Sequence, residues 1–224
     1  ASDFRIEKDF NNVIYGKDID LYCNRIKSYN PLTNETLKKM ADDISKVTKD
    51  ILPDQNLDCV AYGCTSGTIA AGYKSIHEKV NLAKPNTKVT TPITSAINAL
   101  KILKIKKLSI FTPYTDEINQ SVINYFKKEN IEITQLTYFD IASDLDIGKV
   151  DPEHLFDVLS KIDLSNSDAL FVSCTALPVL SIIKDLEKKI GKIVLSSNQT
   201  LIWDTLKKIN YNNKVEGFGE LFNN

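Results

Sequence analysis

The chain has 224 residues, 42% of them hydrophobic and 25% charged, with 28 basic and 29 acidic residues and a net charge of -1. That is enough chain for one large domain or two small lobes, and the charge balance gives no sequence-wide attraction to nucleic acid or to an anionic membrane. No apolar run approaches the roughly 20 residues of a membrane helix, and the first residues show no basic-then-apolar leader.

In chain order, Ile6, Phe10, Val13 and Ile14 fall at helical spacing. Ile19, Leu21, Cys23 and Ile26 alternate roughly as in a strand, which Asn30-Pro31 breaks. Thr33 is placed to cap one long helix whose apolar face runs from Leu37 through Met40 and Ile44 to Ile51. Leu57 to Gly63 reads as a strand buried on both faces. Cys64-Thr65-Ser66-Gly67 then opens a helix through Ile76. Lys88 to Thr90 reads as a strand, 93–103 as a helix and Lys107 to Phe111 as a strand stopped by Thr112-Pro113-Tyr114. The acidic Asp116-Glu117 starts the next helix. Ile131 to Phe139 is the strand after it, 140–150 a loop, and Asp151-Pro152 the start of a further helix. Ala169 to Val172 is a buried strand delivering Cys174, followed by a helix with Leu180, Ile183, Leu186 and Ile190. Ile193 to Leu195 is a strand and 199–209 a helix. Strands alternating with helices imply an α/β fold with parallel sheets, whose ligands belong at the carboxyl ends of the strands.

One pattern occurs twice. Asp58-Cys59-Val60-Ala61-Tyr62-Gly63-Cys64-Thr65 and Asp168-Ala169-Leu170-Phe171-Val172-Ser173-Cys174-Thr175 match at an offset of 110 residues. Thr91-Pro92 and Ser197-Asn198 continue the repeat at an offset of 106. Such a repeat predicts two similar lobes related by a pseudo-twofold, 1–91 with 199–224 and 92–198, with Cys64 and Cys174 facing each other across the cleft. The same offset sets Ser2-Asp3-Phe4 against Thr112-Pro113-Tyr114, so the first strand of the first lobe is expected to be absent from this sequence. An uncovered sheet edge would be a pairing hazard.

The four cysteines lack C-x-x-C spacing and read as free thiols of a reducing cytoplasm. His77 and His154 are too far apart for a metal site, and neither G-x-G-x-x-G nor a P-loop is present. A thiol at a helix N-terminus is expected to have a lowered pKa. Against that stands the ordinary reading of cysteine as a small buried residue. Thr65, Ser66 and Thr175 offer hydroxyls and backbone donors for a carboxylate, or simple capping. Tyr114 and Asn198 are further candidate donors, or interface residues. Paired thiols suit proton removal beside a carboxylate on one face and proton return on the other. They also suit covalent addition to an activated double bond.

The strings VAYGCTSGT, FTPYTDEIN, FVSCTALP, VLSSNQTLIWD and GFGELF resemble the aspartate/glutamate racemase superfamily, nearest the branch of maleate cis-trans isomerase, arylmalonate decarboxylase and the racemase-like ectoine-utilisation protein. The resemblance implies flavodoxin-like lobes, no cofactor, catalytic Cys64 and Cys174, and a substrate carboxylate held by Thr65, Ser66, Tyr114 and Thr175. It also implies a homo-oligomer. The similar decarboxylases keep only the second cysteine. Both are present here, so the expectation is a racemase or epimerase of a small carboxylate. Cis-trans isomerisation comes second, decarboxylation third, and a non-catalytic binder of small acids is the competitor from another class.

Overall fold

The computed structural model describes residues 2–224. It is an α/β fold with two parallel sheets. After helix α1 (Ile6–Ile14), residues 19–29 have no regular secondary structure and join no ladder. The expected strand is not formed there, because the alternating side chains pack on the core without a backbone partner. The expected long helix is three pieces: α2 (Asn34–Met40), a 3₁₀ turn at Ala41–Asp43 and α3 (Ile44–Lys49). Thr33 caps α2 in a reciprocal box with Thr36.

Strand β1 (Cys59–Ala61) leads into α4 (Thr65–Ala71) and α5 (Tyr73–Ala83). The single helix expected after Cys64 is divided at Gly72, whose φ of 81° lies where L side chains are disfavoured. Next come β2 (Lys88–Thr90), α6 (Pro92–Ile102), β3 (Lys107–Thr112), α7 (Asp116–Lys128) and β4 (Glu132–Tyr138). The expected loop at 140–150 holds a short helix, α8 (Asp144–Gly148), before α9 (Pro152–Ser160) and β5 (Ala169–Val172). No helix follows Cys174 directly. Residues 175–182 are irregular, buried as far as Leu180, and α10 (Ile183–Ile190) starts only then. Strand β6 (Ile193–Ser196), α11 (Ser197–Lys208) and a 3₁₀ turn at Glu220–Asn223 complete the chain.

Strands β1 and β2 form one sheet, and the other has the order β4-β3-β5-β6. In the larger sheet Phe171 pairs with Ile110 on one side and Leu195 on the other. Every residue of β5 is buried, as a central parallel strand requires. A large apolar cluster wraps this sheet, and a smaller one (Ala41, Ile44, Tyr62, Ile76, Val80, Val89) backs β1 and β2. The repeated Asp at the start of the pattern is architectural in the second copy. Asp168 Oδ2 accepts from the backbone N–H groups of Lys106 and Lys107 at 3.0 and 2.8 Å, pinning the start of β5 beside β3. Among the described residues no helix is long and apolar enough to cross a membrane.

Candidate active site

The carboxyl ends of β1, β3 and β5 meet at a cavity of about 60 Å³. Cys64, Thr65, Ser66, Tyr114, Cys174 and Thr175 all line it. The two matched cysteines, 110 residues apart in sequence, therefore face one small space. Its size is far below the range of drug-sized ligand pockets and suits a small acid.

Local structure explains how each thiol is presented. Cys64 is the N-cap of α4, and its Sγ accepts the Gly67 N–H at 3.2 Å. Gly67 has to be glycine: a Cβ there would stand 2.8 Å from Cys64 Sγ and 2.8 Å from Tyr62 Oη. Cys174 has φ 94°, a left-handed conformation that costs a non-glycine residue on the order of 1–3 kcal/mol. The strain is sustained by partners on both sides, since Ser173 N–H donates to Phe111 O and Cys174 N–H to Ser197 Oγ. The two strand ends are laced to each other. Thr65 Oγ1 donates to that same Ser197 Oγ at 2.8 Å, and Thr175 Oγ1 donates to Gly63 O at 3.2 Å.

The expected low thiol pKa is not what the site produces. Burial pushes Cys64 up to about 11, against the opposing Gly67 N–H bond. Burial pushes Cys174 well above its ordinary value as well. The helix N-terminus favours the Cys64 thiolate, but loss of hydration outweighs it. Negative charge on Asp144 and Asp3 raises both thiols further. Both thiols are therefore raised above the ordinary thiol range by the same burial, and only Cys64 has a backbone N–H of its own helix, Gly67, set to favour its thiolate.

Tyr114 is buried, with its hydroxyl at 3.5 Å from Ser173 Oγ, and burial raises its pKa. Asn198 lies outside the lining. Its Nδ2 donates to Asp9 Oδ2 at 2.7 Å and to Thr175 O at 2.9 Å, so it holds the backbone behind the pocket. His154 stacks on Phe139, away from the site. The repeat sets the Ser2-Asp3-Phe4 loop against the Tyr114 loop, and Asp3 lies in the cavity wall; sequence reasoning missed Ser28 and Asp144 in that wall, and Ser197 behind it. They come from segments with no shared pattern. The alignment of Ser197 with Thr91 in the repeat, and its place in VLSSNQTLIWD, are the signals that could have marked that residue.

Asp9, on α1, is the buried carboxyl against Asn198. Burial raises its pKa from 3.8 to about 6, and the Asn198 hydrogen bond opposes the rise. A carboxyl whose pKa rises on folding costs nothing while protonated in both states and destabilises once ionised. Its contribution is therefore expected to worsen between about pH 4 and about pH 6, by about 3 kcal/mol. Denaturant titrations across that window check this: Asp9→Asn should gain stability over the parent as pH rises. A constant difference would show that the carboxyl does not titrate there.

The family model for arylmalonate decarboxylase matches residues 14–222. The chain is 30% identical over 199 residues to a maleate isomerase of Geobacillus stearothermophilus, covering 85% of this chain and 78% of that one. Its fold matches the crystal structure of the maleate isomerase Iso from Pseudomonas putida S16 with TM-score 0.90 at 22% identity, covering 99% and 94% of the two chains. It matches equally, at TM-score 0.90 and 19% identity with the same coverage, a Nocardia farcinica maleate cis-trans isomerase mutant described with a covalently bound succinylcysteine intermediate.

Proposed function

We propose that this chain, which belongs to the arylmalonate decarboxylase family within the Asp/Glu racemase-like branch that holds the maleate isomerases, is a cofactor-independent isomerase of a small carboxylic acid. The observation that carries the reading is the pair of cysteines, one from each copy of the repeat, lining a single small cavity. The relatives named maleate isomerase favour cis-trans isomerisation over the racemisation expected first from sequence.

The chemistry follows from two thiols in one cavity, of which Cys64 caps a helix and accepts the Gly67 N–H. Cys64, as thiolate, adds to one carbon of a double bond conjugated to the substrate carboxylate. A C–S bond forms and the π electrons move toward that carboxylate. The Ser66 hydroxyl and the backbone N–H groups of Thr65, Ser66 and Thr175 would hold the carboxylate as it gains charge, the Thr65 and Thr175 hydroxyls being engaged with Ser197 and Gly63. Cys174, kept protonated, can give its proton to the carbanion and take it back. The former double bond is now single and rotates. Elimination breaks the C–S bond and restores the double bond in the other geometry, with no net oxidation or reduction. The same pair could carry out 1,1-proton transfer, and the matched placement of two buried thiols supports that second reading. Separate sheets at the two cysteines support a division into lobes 1–91 with 199–224 and 92–198.

Proton NMR in D₂O on maleate, cis-4-aminobut-2-enoate and single enantiomers of small amino acids tests the reading. Appearance of a trans alkene is the expected result. Deuterium entering the α-carbon of a chiral acid instead would establish the racemase reading. Neither reaction with any acid that binds would leave a binding protein.

A further inference from the structure

Among the described residues the wall of the cavity carries two carboxylates and no cationic side chain. Asp3, Ser28 and Asp144 line it, and none of the described lining residues is Lys, Arg or His. Asp3 Oδ1 accepts from the backbone N–H groups of Arg5 and Ile6, whereas its Oδ2 is buried with no hydrogen-bond partner. Asp144 Oδ2 accepts from Ser2 Oγ at 2.6 Å, and Ser2 Oγ also lies 3.1 Å from Ser28 Oγ. Arg5 donates to Gly148 O, and Arg25 to Asp3 O and Glu7.

The segment that brings Asp3 is firmly seated. The Phe4 ring lies against Gly148, where an added Cβ would stand 2.7 Å from the ring edge. With the Arg5 and Ser2 hydrogen bonds, this fixes residues 2–6 against α8. Asp3 and Asp144 are thus held as parts of the wall.

We infer that the ligand of this cavity is an aminocarboxylic acid, bearing an ammonium group beside Asp3 and Asp144 and a carboxylate among the Thr65, Ser66 and Thr175 donors, and is not a dicarboxylate. A second ligand carboxylate would meet two acids and an oxygen already lacking a donor; an ammonium group supplies three donors and the opposite charge. The thiols point the same way. Both are raised by the negative charge of Asp144 and Asp3, so a cation seated there would ease ionisation of Cys64, and a second anion would hinder it. The inference rests on the proposed function only in taking the thiol-lined cavity as the ligand site.

3-Aminopropanoate and succinate share a carboxylate and two methylenes and differ only in the distal group. Calorimetric titration of the full chain near neutral pH is expected to give aminopropanoate at least about tenfold tighter binding, equivalent to about 1.4 kcal/mol. In an Asp3→Asn/Asp144→Asn double variant that preference should vanish or reverse. If the double variant does not fold, Asp144→Asn alone, at a partly exposed position, should reduce it. Equal or tighter succinate binding by the parent, no aminopropanoate binding, or a preference unchanged in the variants would overturn the inference. Binding is read without turnover, so such a result leaves the isomerase reading standing. An inactive chain that still selects aminopropanoate would fail that reading and keep this one.

Discussion

Cys64→Ala is expected to lower turnover by about a thousandfold or more while moving stability by only about 1 kcal/mol. The thiol is the group that forms the bond to substrate in the proposed addition, and nothing else in the cavity wall replaces it. The Ser66 and Thr65 hydroxyls beside it are poor nucleophiles at neutral pH, and the Asp3 and Asp144 carboxylates are weak nucleophiles toward a conjugated double bond. Structurally the loss is small. The Gly67 N–H loses its acceptor, but the Cys64 carbonyl still accepts from Thr68 N–H and Thr68 Oγ1. Cys64→Ser restores the cap without the reactivity and should be as inactive as the alanine form and as stable as the parent. Rates on the substrate found by NMR, measured beside thermal unfolding, separate the two effects. Retention of more than a tenth of parental turnover by Cys64→Ala would exclude the thiol from the reaction.

Phe171→Ala is expected to cost about 3–5 kcal/mol, lowering the unfolding midpoint by on the order of 10 °C for a chain of this length. Phe171 is fully buried at the centre of β5, between Ile110 and Leu195 in the ladder, with Phe126 edge-on at 5.3 Å. Removing the ring leaves a cavity in a strand that cannot shift, because it is bonded on both sides. The same strand runs into Ser173 and Cys174, so activity should fall with stability. Urea unfolding with an unchanged slope would confirm a loss of packing alone. A loss under about 1 kcal/mol would mean that the core around β5 refills the space.

Much of this was legible in the chain. Short apolar runs alternating with helical spacing announced the parallel sheets, and the repeated Cys-Thr brought two residues 110 positions apart to one cavity. The failures have physical sources. Residues 19–29 alternate like a strand, but alternation reports which side chains are buried and says nothing of whether a neighbouring backbone is there to pair. The run Ala176-Leu177-Pro178-Val179-Leu180 is apolar enough for a helix and is buried as irregular chain, with Pro178 in its middle. The thiol pKa direction was misjudged because helix position is visible in sequence and desolvation is not. Asp3 and Asp144 were invisible as a pair because only tertiary packing joins residue 3 to α8.

The shared Ser197 oxygen has a mechanical meaning. It receives the Thr65 hydroxyl and the Cys174 N–H together, and Thr175 returns a bond to Gly63. The two strand ends therefore behave as one rigid body: a thermal displacement of either carries the other along. The spacing of the sulfurs is set during folding, and the entropy of aligning them is spent before any ligand arrives. What remains free to yield when a ligand enters is the opposite wall, built from the irregular chain near Ser28 and from α2.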